Sequence, residues 1–448
     1  MADGRKILLD CGMFQGMGNQ TTQLNTEWGF DPAEISCVII SHAHIDHIGL
    51  LPKLVKDGYQ GDIFCTPGTA ALIPLLLIDS AKIQQADVAY TNKQRKRQGR
   101  ALVEPLYTEA DAYSVFPLLQ PVVKDQWFHI ARGIDLFYTE TGHIPGAAAV
   151  NLKLREKDTD IHLTFSGDIG RYRDMILRSP DPFPAADYII MESTYGDKLH
   201  DLNLVATEKI VEEIQKTCIE QKGKLIIPAF SLGRTQELLY ILNRLELERR
   251  LPGLNYYVDS PMSIKATEIV KRQIQCFNKD VKKLLEKDED VFAFKGLKYI
   301  RDVEDSMALN ASNDPCVIIS ASGMAEAGRV KHHIKHAIAD PRNTIMFSGY
   351  CEPHSLGGRL KAGARDVRIF GMSFPVKAAI TSIDSLSAHG DYEDMSQWLA
   401  CQDPKSVRKL FLVHGEYDVQ LNFQERLIRK GFRDVIIPAQ HEVHGLGI

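Results

Sequence analysis

Short apolar runs alternate with amphipathic segments over the whole chain. In the first half and at the end of the chain, the runs lie at residues 7–9, 38–40, 134–138, 161–165, 188–190 and 410–413. Runs of this length are typical of buried strands, and the amphipathic segments between them are typical of helices. The pattern therefore predicts an α/β fold with a substantial parallel or mixed sheet.

Most of these runs lead directly into a side chain that can bind a metal or carry a proton. These side chains are His42, His44, His143, Asp168, Glu192 and His414. Ligands of α/β sheets usually lie beyond the ends of the strands. We therefore expect residues that are far apart in the sequence to meet along one edge of a sheet.

The middle of the chain repeats the same rhythm with different chemistry. Runs at residues 224–227, 316–319 and 344–347 lead into turns rich in serine and glycine, without a pattern of metal ligands. This contrast predicts a second domain at residues 200–380, inserted between the two parts of a first domain at residues 1–199 and 381–448.

The sharpest chemical signal is the segment 42–47, in which three histidines and one aspartate follow a predicted buried strand. His42 and His44 point the same way in an extended segment, and Asp46 and His47 lie on the turn into a predicted helix. Such a segment can hold two adjacent metal ions, one on each pair. Neutral imidazole and carboxylate ligands suit zinc, with manganese as an alternative.

A centre with two metals needs further ligands, and His143, Asp168 and His414 are the candidates. Each lies in a tight turn after a predicted strand, and the Asp168 carboxylate can bridge two ions. Paired metals clamp the attacking and leaving oxygens of a displacement and generate hydroxide at neutral pH. Asp10 is a candidate for orienting a ligand histidine through a hydrogen bond to the ring nitrogen that does not bind the metal. An equally good interpretation is that Asp10 is simply a turn residue.

The composition is typical of a folded protein, and the net charge argues against unspecific binding of polyanions. The chain has 448 residues, 44% of them hydrophobic and 25% charged, and a net charge of −5. The eight cysteines form no C-x-x-C pair, and from the apolar pattern we expect neither a signal peptide nor a membrane span. We therefore expect a cytoplasmic protein that does not bind membranes. The basic run at residues 93–100 is predicted to be a solvated loop after a helix, and the histidines His332, His333 and His336 are predicted to be solvated.

The order of these motifs resembles the metallo-β-lactamase superfamily, and within it the β-CASP ribonuclease family. Asp10, the segment 42–47, His143 and Asp168 are similar to the successive superfamily motifs. Glu192, His389 and His414 are similar to the three additional β-CASP motifs, and the segments 229–237 and 320–324 resemble signatures of the inserted domain. The likeness is to compact bacterial RNA-processing members related to ribonuclease J and to the cleavage and polyadenylation endonuclease subunit.

This resemblance implies an αββα sandwich with an inserted α/β domain, and a distinct role for each site residue. One zinc would be held by His42, His44 and His143, and a second by Asp46, His47 and His414. Asp168 would bridge the two ions. His389 would contact the scissile phosphate with Glu192 hydrogen-bonded behind it, so that Asp46, His389 and Glu192 take part in catalysis. A histidine at position 414 accompanies RNA substrates in this family.

The resemblance also has departures and alternatives. Only nine residues precede Asp10, so we expect the usual N-terminal strand of the first domain to be missing. RNA contacts are expected from Arg234 and from the turn of Ser320, Ser322 and Gly323, while an ion-pair role for Arg234 is an equal alternative. The predicted activity is two-metal, zinc-dependent hydrolysis of RNA phosphodiesters. A small-molecule hydrolase and a non-catalytic RNA-binding subunit are the alternative functions, and a homodimer is left open.

Overall fold

The computed structural model of the protein describes residues 4–15, 18–156, 159–200, 203–383 and 386–446. The chain forms two compact units. The first comprises Met1–Leu199 and His389–Ile448, and the second comprises His200–Ala388. Both contain strands and helices, which confirms the α/β fold class predicted from the apolar pattern.

The strands of the described residues include one at each of the nine apolar runs named above, and ten others. In chain order they are β1 (Lys6–Leu9), β2 (Ile35–Ile39), β3 (Asp62–Cys65), β4 (Leu119–Pro121), β5 (Phe128–Ala131), β6 (Ile134–Glu140), β7 (Ala148–Glu156), β8 (Thr159–Phe165), β9 (Tyr188–Glu192), β10 (Lys224–Pro228), β11 (Asn255–Val258), β12 (Leu297–Tyr299), β13 (Cys316–Ser320), β14 (Thr344–Phe347), β15 (Asp366–Ile369), β16 (Met372–Pro375), β17 (Ala379–Ser382), β18 (Lys409–Val413) and β19 (Val435–Ile436).

Helices connect most of these strands. They are α1 (Thr21–Thr26), α2 (Ile45–Ile48), α3 (Leu51–Lys56), α4 (Pro67–Arg97), α5 (Glu109–Val115), α6 (Asn203–Ile214), α7 (Arg234–Leu247), α8 (Pro261–Lys271), α9 (Lys279–Leu285), α10 (Val303–Ala311), α11 (Val330–Ala337), α12 (Leu356–Lys361), α13 (Tyr392–Leu399) and α14 (Tyr417–Arg429). None of the described helices has the length and apolar character needed to cross a membrane.

The first unit is built on two sheets, as far as the described residues show. One is parallel, with the strand order β1-β2-β3-β4. The other has the order β19-β18-β9-β8-β7-β6-β5, in which β19 to β8 are parallel and β8 to β5 are antiparallel. Residues of both sheets, including Ile39, Phe64, Val150 and Tyr188, share one buried cluster. The two sheets therefore pack face to face.

The opposite face of the larger sheet is covered by two helices. Trp398 of α13 and Phe423 of α14 are fully buried in one cluster with Ile189 and Leu412 of the strands. Asp391 begins α13 with a capping box, in which its side chain accepts hydrogen bonds from the Glu393 and Asp394 amides. Burial of these large apolar side chains stabilises the sheet that carries the ends of β8, β9 and β18.

The second unit contains a parallel sheet with the order β12-β11-β13-β10-β14-β17 among the described residues, and a separate hairpin of β15 and β16. Strand β17 crosses residue 380, where the sequence places a domain boundary, and the compact unit extends to Ala388. The division into domains at residues 199 and 380 stays a prediction.

One histidine of the second unit contradicts its predicted environment. His332 and His336 are exposed, as predicted for solvated residues, but the α11 residue His333 is buried. Its Nε2 lies 2.7 Å from Asp259 Oδ2, and its Nδ1 lies 2.8 Å from Asn310 Oδ1. Asp259 follows β11 and is distant in the sequence, so the local helix pattern could not reveal this pair.

Candidate metal centre

Turns at the ends of strands position the candidate ligands of the first unit. His42, His143 and Asp168 each lie three residues beyond their strand, and His414 follows β18 directly. His44 precedes α2, which carries Asp46 and His47. Asp10 and His414 adopt left-handed backbone conformations, with φ of 57° and 51°. Non-glycine residues rarely adopt this conformation, which aspartate and histidine tolerate better than most other residues.

Three histidines and one carboxylate form a first cluster of ligand atoms. His44 Nδ1 lies 3.1 Å from His42 Nε2 and 3.1 Å from His143 Nε2. Asp168 Oδ2 lies 3.3 Å from each of these Nε2 atoms. Ligand atoms bound tetrahedrally to zinc at about 2.1 Å are separated by about 3.4 Å. The spacing of the four atoms fits such a cage.

Asp168 turns its other oxygen toward a second cluster. Asp168 Oδ1 lies 3.2 Å from His47 Nε2 and 3.6 Å from His414 Nδ1, and His414 Nε2 lies 3.4 Å from Asp46 Oδ2. His47 Nε2 and Asp168 Oδ1 are buried and close together but are not aligned for a hydrogen bond to each other, and neither has another hydrogen-bond partner within the described part of the chain. Buried polar atoms normally have a partner. These two orphaned atoms fit a metal ion that both would bind.

The buried carboxylate of Asp10 is linked by hydrogen bonds to one histidine of each cluster. Asp10 accepts hydrogen bonds of 2.7 Å from the Ser41 amide and the Ser41 hydroxyl, and its Oδ2 lies 2.6 Å from His47 Nδ1. Ser41 Oγ also lies 3.0 Å from His42 Nδ1. These contacts orient the two rings so that their Nε2 atoms face Asp168.

The protonation of the two clusters differs because their surroundings differ. Burial, reinforced by His42, lowers the pKa of His44 to about 3, and burial also lowers the pKa of His42 and His143. The Asp168 carboxylate instead raises the pKa of His414 to about 9. Burial opposes protonation of His47, but Asp168 and Asp10 outweigh it and raise its pKa well above the ordinary value. At neutral pH, the first cluster therefore offers neutral imidazoles.

His389 lies beside the clusters and is held by a carboxylate. Its Nδ1 lies 3.1 and 3.2 Å from the two carboxylate oxygens of Glu192 and 3.9 Å from Asp168 Oδ2. Glu192 is fully buried and accepts a hydrogen bond of 2.5 Å from the Ile169 amide. Burial opposes protonation of His389, but Glu192 and Asp168 outweigh it and raise the pKa of the ring. The arrangement favours the protonated, imidazolium form of His389, and its contact with Glu192 sets the orientation of the ring.

The residues predicted to contact RNA lie in the second unit and have partners there. Arg234 is buried and forms an ion pair with Glu237 of the same helix. Ser320 is buried and donates to the Asp259 carbonyl at 2.7 Å. The Ser322 amide donates to the Ala327 carbonyl. Roles of Arg234, Ser320, Ser322 and Gly323 in RNA binding stay predictions, and these contacts favour the ion-pair alternative for Arg234.

Two features of the site were missed in the sequence. The candidate ligands do not meet along one sheet edge, because Asp10 and His42 follow strands of one sheet, whereas His143, Asp168 and His414 follow strands of the facing sheet. Ser41 and Thr194 were also missed. Thr194 Oγ1 lies 3.1 Å from His414 Nδ1. Both residues lie within two positions of a recognised motif, and this position in the sequence could have marked them as candidates.

Three family models match successive parts of the chain. Residues 2–202 match the Metallo-beta-lactamase superfamily, residues 235–360 match the Beta-Casp domain, and residues 373–438 match the Zn-dependent metallo-hydrolase RNA specificity domain. The first and last matches contain the candidate ligands described above.

The chain is also similar over most of its length to several curated proteins. It is 33% identical over 431 residues to Ribonuclease TTHA0252 of Thermus thermophilus, covering 96% of this chain and 92% of that protein. It is 29% identical to Transcription termination factor FttA of Methanosarcina mazei, covering 95% of this chain and 65% of that protein. An RNase J-like protein of Methanocaldococcus jannaschii is 29% identical, with coverages of 93% and 89%.

Proposed function

The chain belongs to the β-CASP family of the metallo-β-lactamase superfamily, and from that membership we propose that it is a metal-dependent nuclease that processes RNA. The observation that carries the proposal is the convergence of a full set of candidate ligands with the His389–Glu192 pair in one unit. A non-catalytic subunit has no need for this set. A small-molecule hydrolase does not account for the His389–Glu192 pair beside the ligands or for the inserted second unit.

The proposal assigns two zinc ions to the centre, with manganese as the alternative metal. His42, His44 and His143 would hold one ion, Asp46, His47 and His414 the other, and Asp168 both. Bound divalent metals would supply Lewis-acid activation of water and of the phosphate at neutral pH. Elemental analysis of the purified protein tests the count, and a value near two zinc ions per chain is expected.

The residues of the chain would supply the remaining chemistry. Glu192 holds the Nδ1 side of His389, so the ring presents its Nε2–H to the scissile phosphate. A positive imidazolium there stabilises the negative charge that develops on the phosphoryl oxygens. It could also deliver a proton to the leaving 3′-oxygen, which yields 5′-phosphate and 3′-hydroxyl products.

Cleavage of a labelled single-stranded RNA by the zinc-loaded protein tests this function. We expect cleavage that stops on metal removal and returns when zinc is added back. Otherwise identical RNAs that carry a 5′-triphosphate, monophosphate or hydroxyl distinguish the modes, because a 5′-exonuclease depends on this end and an endonuclease does not. Intact RNA with a fully metal-loaded protein would contradict the proposal.

The proposal also includes a cytoplasmic location. Its support is chemical, since none of the eight cysteines, all of which lie in the described ranges, forms a disulfide, and structural disulfides are rare in reducing compartments. Fractionation of cells with antibodies against the chain tests the location, and light scattering tests whether the protein is a homodimer.

A further inference from the structure

The helix α4 extends well beyond the core of the first unit. It is 31 residues long, about 46 Å at 1.5 Å per residue. Its buried residues lie between Gly68 and Ala81, and none of the helix residues after Ala81 is buried. The basic run at residues 93–100, predicted to be a loop after a helix, is instead helical as far as Arg97, and the chain then returns through residues 98–103. We name residues 82–103 the basic arm.

The basic arm is held in a defined shape. The side-chain amide of Asn92 donates to the Val103 carbonyl and its oxygen accepts from the Val103 amide, both at 2.9 Å. At its base, Ser80 Oγ lies 2.7 Å from the hydroxyl of the buried Tyr107. The returning segment therefore packs on the side of the helix that carries Asn92.

The arm concentrates positive charge in a chain whose net charge is negative. It contains six lysine or arginine residues and one aspartate. Its cations other than Lys82 form no ion pair with any acidic residue of the described ranges; they are Lys93, Arg95, Lys96, Arg97 and Arg100. A solvated surface that only needs solubility usually mixes both signs of charge. This run therefore offers unpaired cations to an anionic partner.

An exposed aromatic residue accompanies this charge. Tyr90 is 68% exposed and shares one helix face with Lys93 and Arg97, because residues at i, i+3 and i+7 lie above one another. That face is turned away from Asn92 and the returning segment. Aromatic rings next to cations are the usual means of binding single-stranded nucleic acids, since bases stack on the ring and phosphates meet the cations.

The base of α4 abuts the candidate metal centre. Thr66 and Thr69, at the start of the helix, donate to the Gly146 carbonyl at 2.5 and 3.1 Å, and Gly146 belongs to the loop that carries His143. From Thr69 to Lys93 the helix advances about 36 Å. An anionic polymer cleaved at the metal centre is therefore a ligand that can also reach the arm.

We propose that the basic arm is a second binding site for single-stranded RNA, remote from the cleavage site, on which Lys93 and Arg97 contact phosphates beside Tyr90, which stacks on a base. Lys96, three residues after Lys93 and at the border of this face, contacts a further phosphate. This inference rests on the proposed ribonuclease function. A stacked strand advances about 3.4 Å per nucleotide, so about ten nucleotides span the distance. The arm therefore acts on long substrates and leaves very short ones unaffected.

The test compares RNAs of about 4 and about 30 nucleotides with a triple variant, Lys93→Ala, Lys96→Ala and Arg97→Ala. We expect kcat/KM for the long RNA to fall roughly tenfold, kcat/KM for the short RNA to stay unchanged, and zinc content to stay unchanged. Each contact with single-stranded RNA contributes about 0.7 to the salt slope of log Kd, so the slope for the long RNA falls by about 2.

The matched control removes three exposed lysines from the second unit, with Lys279→Ala, Lys283→Ala and Lys287→Ala. These lie among acidic residues, and we expect neither the length preference nor the salt slope to change. Tyr90→Ala should weaken binding of the long RNA, while Tyr90→Phe, which keeps a stacking ring, should not. An equal loss of kcat/KM for the long RNA in the lysine control would overturn the proposal, because the loss would then follow from the lower positive charge of the protein and not from the arm.

The result also separates this proposal from the proposed function. If the zinc-loaded protein cleaves neither RNA, the ribonuclease function fails, and binding of the long RNA to the wild type and triple variant still tests the arm. If cleavage occurs and the triple variant keeps the affinity, salt slope and length preference of the wild type, the arm proposal fails alone. A partner other than RNA at this surface would give that second outcome.

Discussion

At the scale of single residues, two neighbouring histidines have different surroundings. The rings of His389 and His414 are stacked, with an angle of 28° between their planes and centroids 5.9 Å apart. Glu192 holds His389, whereas His414 faces the ligand atoms of Asp46 and Asp168. Similar positions in His-Gly turns therefore lead to different predicted functions.

Replacing each histidine separates these functions. We expect His389→Ala to keep a normal zinc content and to lose about two to four orders of magnitude in turnover, because a positioned acid or charge stabiliser is removed. His414→Ala should lose activity together with part of the second metal. Zinc content and single-turnover cleavage of both variants give the measurement. Metal loss in His389→Ala combined with retention in His414→Ala would reverse the two assignments.

At the scale of elements, the turn after β1 fits closely against α2. A Cβ built on Gly12 would lie 1.5 Å from the Asp46 carbonyl oxygen, while the Cys11 amide donates to the His47 carbonyl. The turn therefore has no room for a side chain at position 12. Its close approach positions both Asp10 and the helix that carries two candidate ligands.

We expect Gly12→Ala to displace α2 and to lower both stability and metal content. Overpacking of this kind costs about 1–3 kcal/mol. Gly253→Ala is the matched control, because a Cβ at Gly253 meets no atom within 4 Å. Thermal unfolding and zinc content are measured for both variants. Wild-type values in Gly12→Ala would show that the turn does not determine the position of the ligands.

A buried network in the second unit connects β11 to two helices. Asp259 accepts from Ser306 Oγ at 2.5 Å and Arg329 Nη1 at 2.6 Å, and its Oδ2 lies 2.7 Å from His333 Nε2. Burial alone would raise the pKa of the Asp259 carboxyl, but hydrogen bonds from these three partners outweigh it and lower its pKa. The ionised carboxylate is therefore the form that stabilises the fold.

The pH dependence of stability follows from that lowered pKa. This contribution is fully present above the pKa of an unfolded aspartate, about 3.9, and is lost as the pH falls through the lower folded value. We expect Asp259→Asn to lower the free energy of unfolding by about 2–4 kcal/mol at pH 7, because it leaves buried donors poorly paired. The difference from the wild type should shrink below pH 4. Urea unfolding across this range measures it, and a constant difference would contradict the assignment.

At the scale of the whole molecule, metal binding, proton release and stability are coupled. In the metal-free protein His414 has a pKa of about 9 and His47 a raised pKa, so both rings carry a proton at pH 7. A metal ion that binds these nitrogens must displace the protons. Affinity of the second cluster for metal should therefore decrease as the pH falls.

Calorimetry in buffers of different ionisation enthalpy measures the displaced protons. We expect about two protons released per chain at pH 7 when both metal sites fill. Metal binding should also raise the unfolding temperature, because an ion that binds only the folded state stabilises it. His44, whose pKa is about 3, should release none. Metal uptake without proton release at pH 7 would contradict the protonation of His47 and His414.

The sequence alone determined the fold class and the set of side chains that could build a site. Strands such as β8 and β18 appear as apolar runs because periodicity is a property of neighbouring residues. The motif of segment 42–47 stands out for the same reason. The order of the motifs indicated the family, and the family matches bear that family out.

Only the tertiary structure decided how those side chains meet. The strands that precede the candidate ligands belong to two sheets, which pack face to face and bring their strand ends together at the site. The expectation that the ligands meet along one sheet edge was therefore wrong. The division of Asp168 between two clusters, the support of His42 by Ser41 and the burial of His333 against Asp259 all join residues remote in sequence. Such contacts depend on long-range packing, which the pattern of neighbouring residues does not encode.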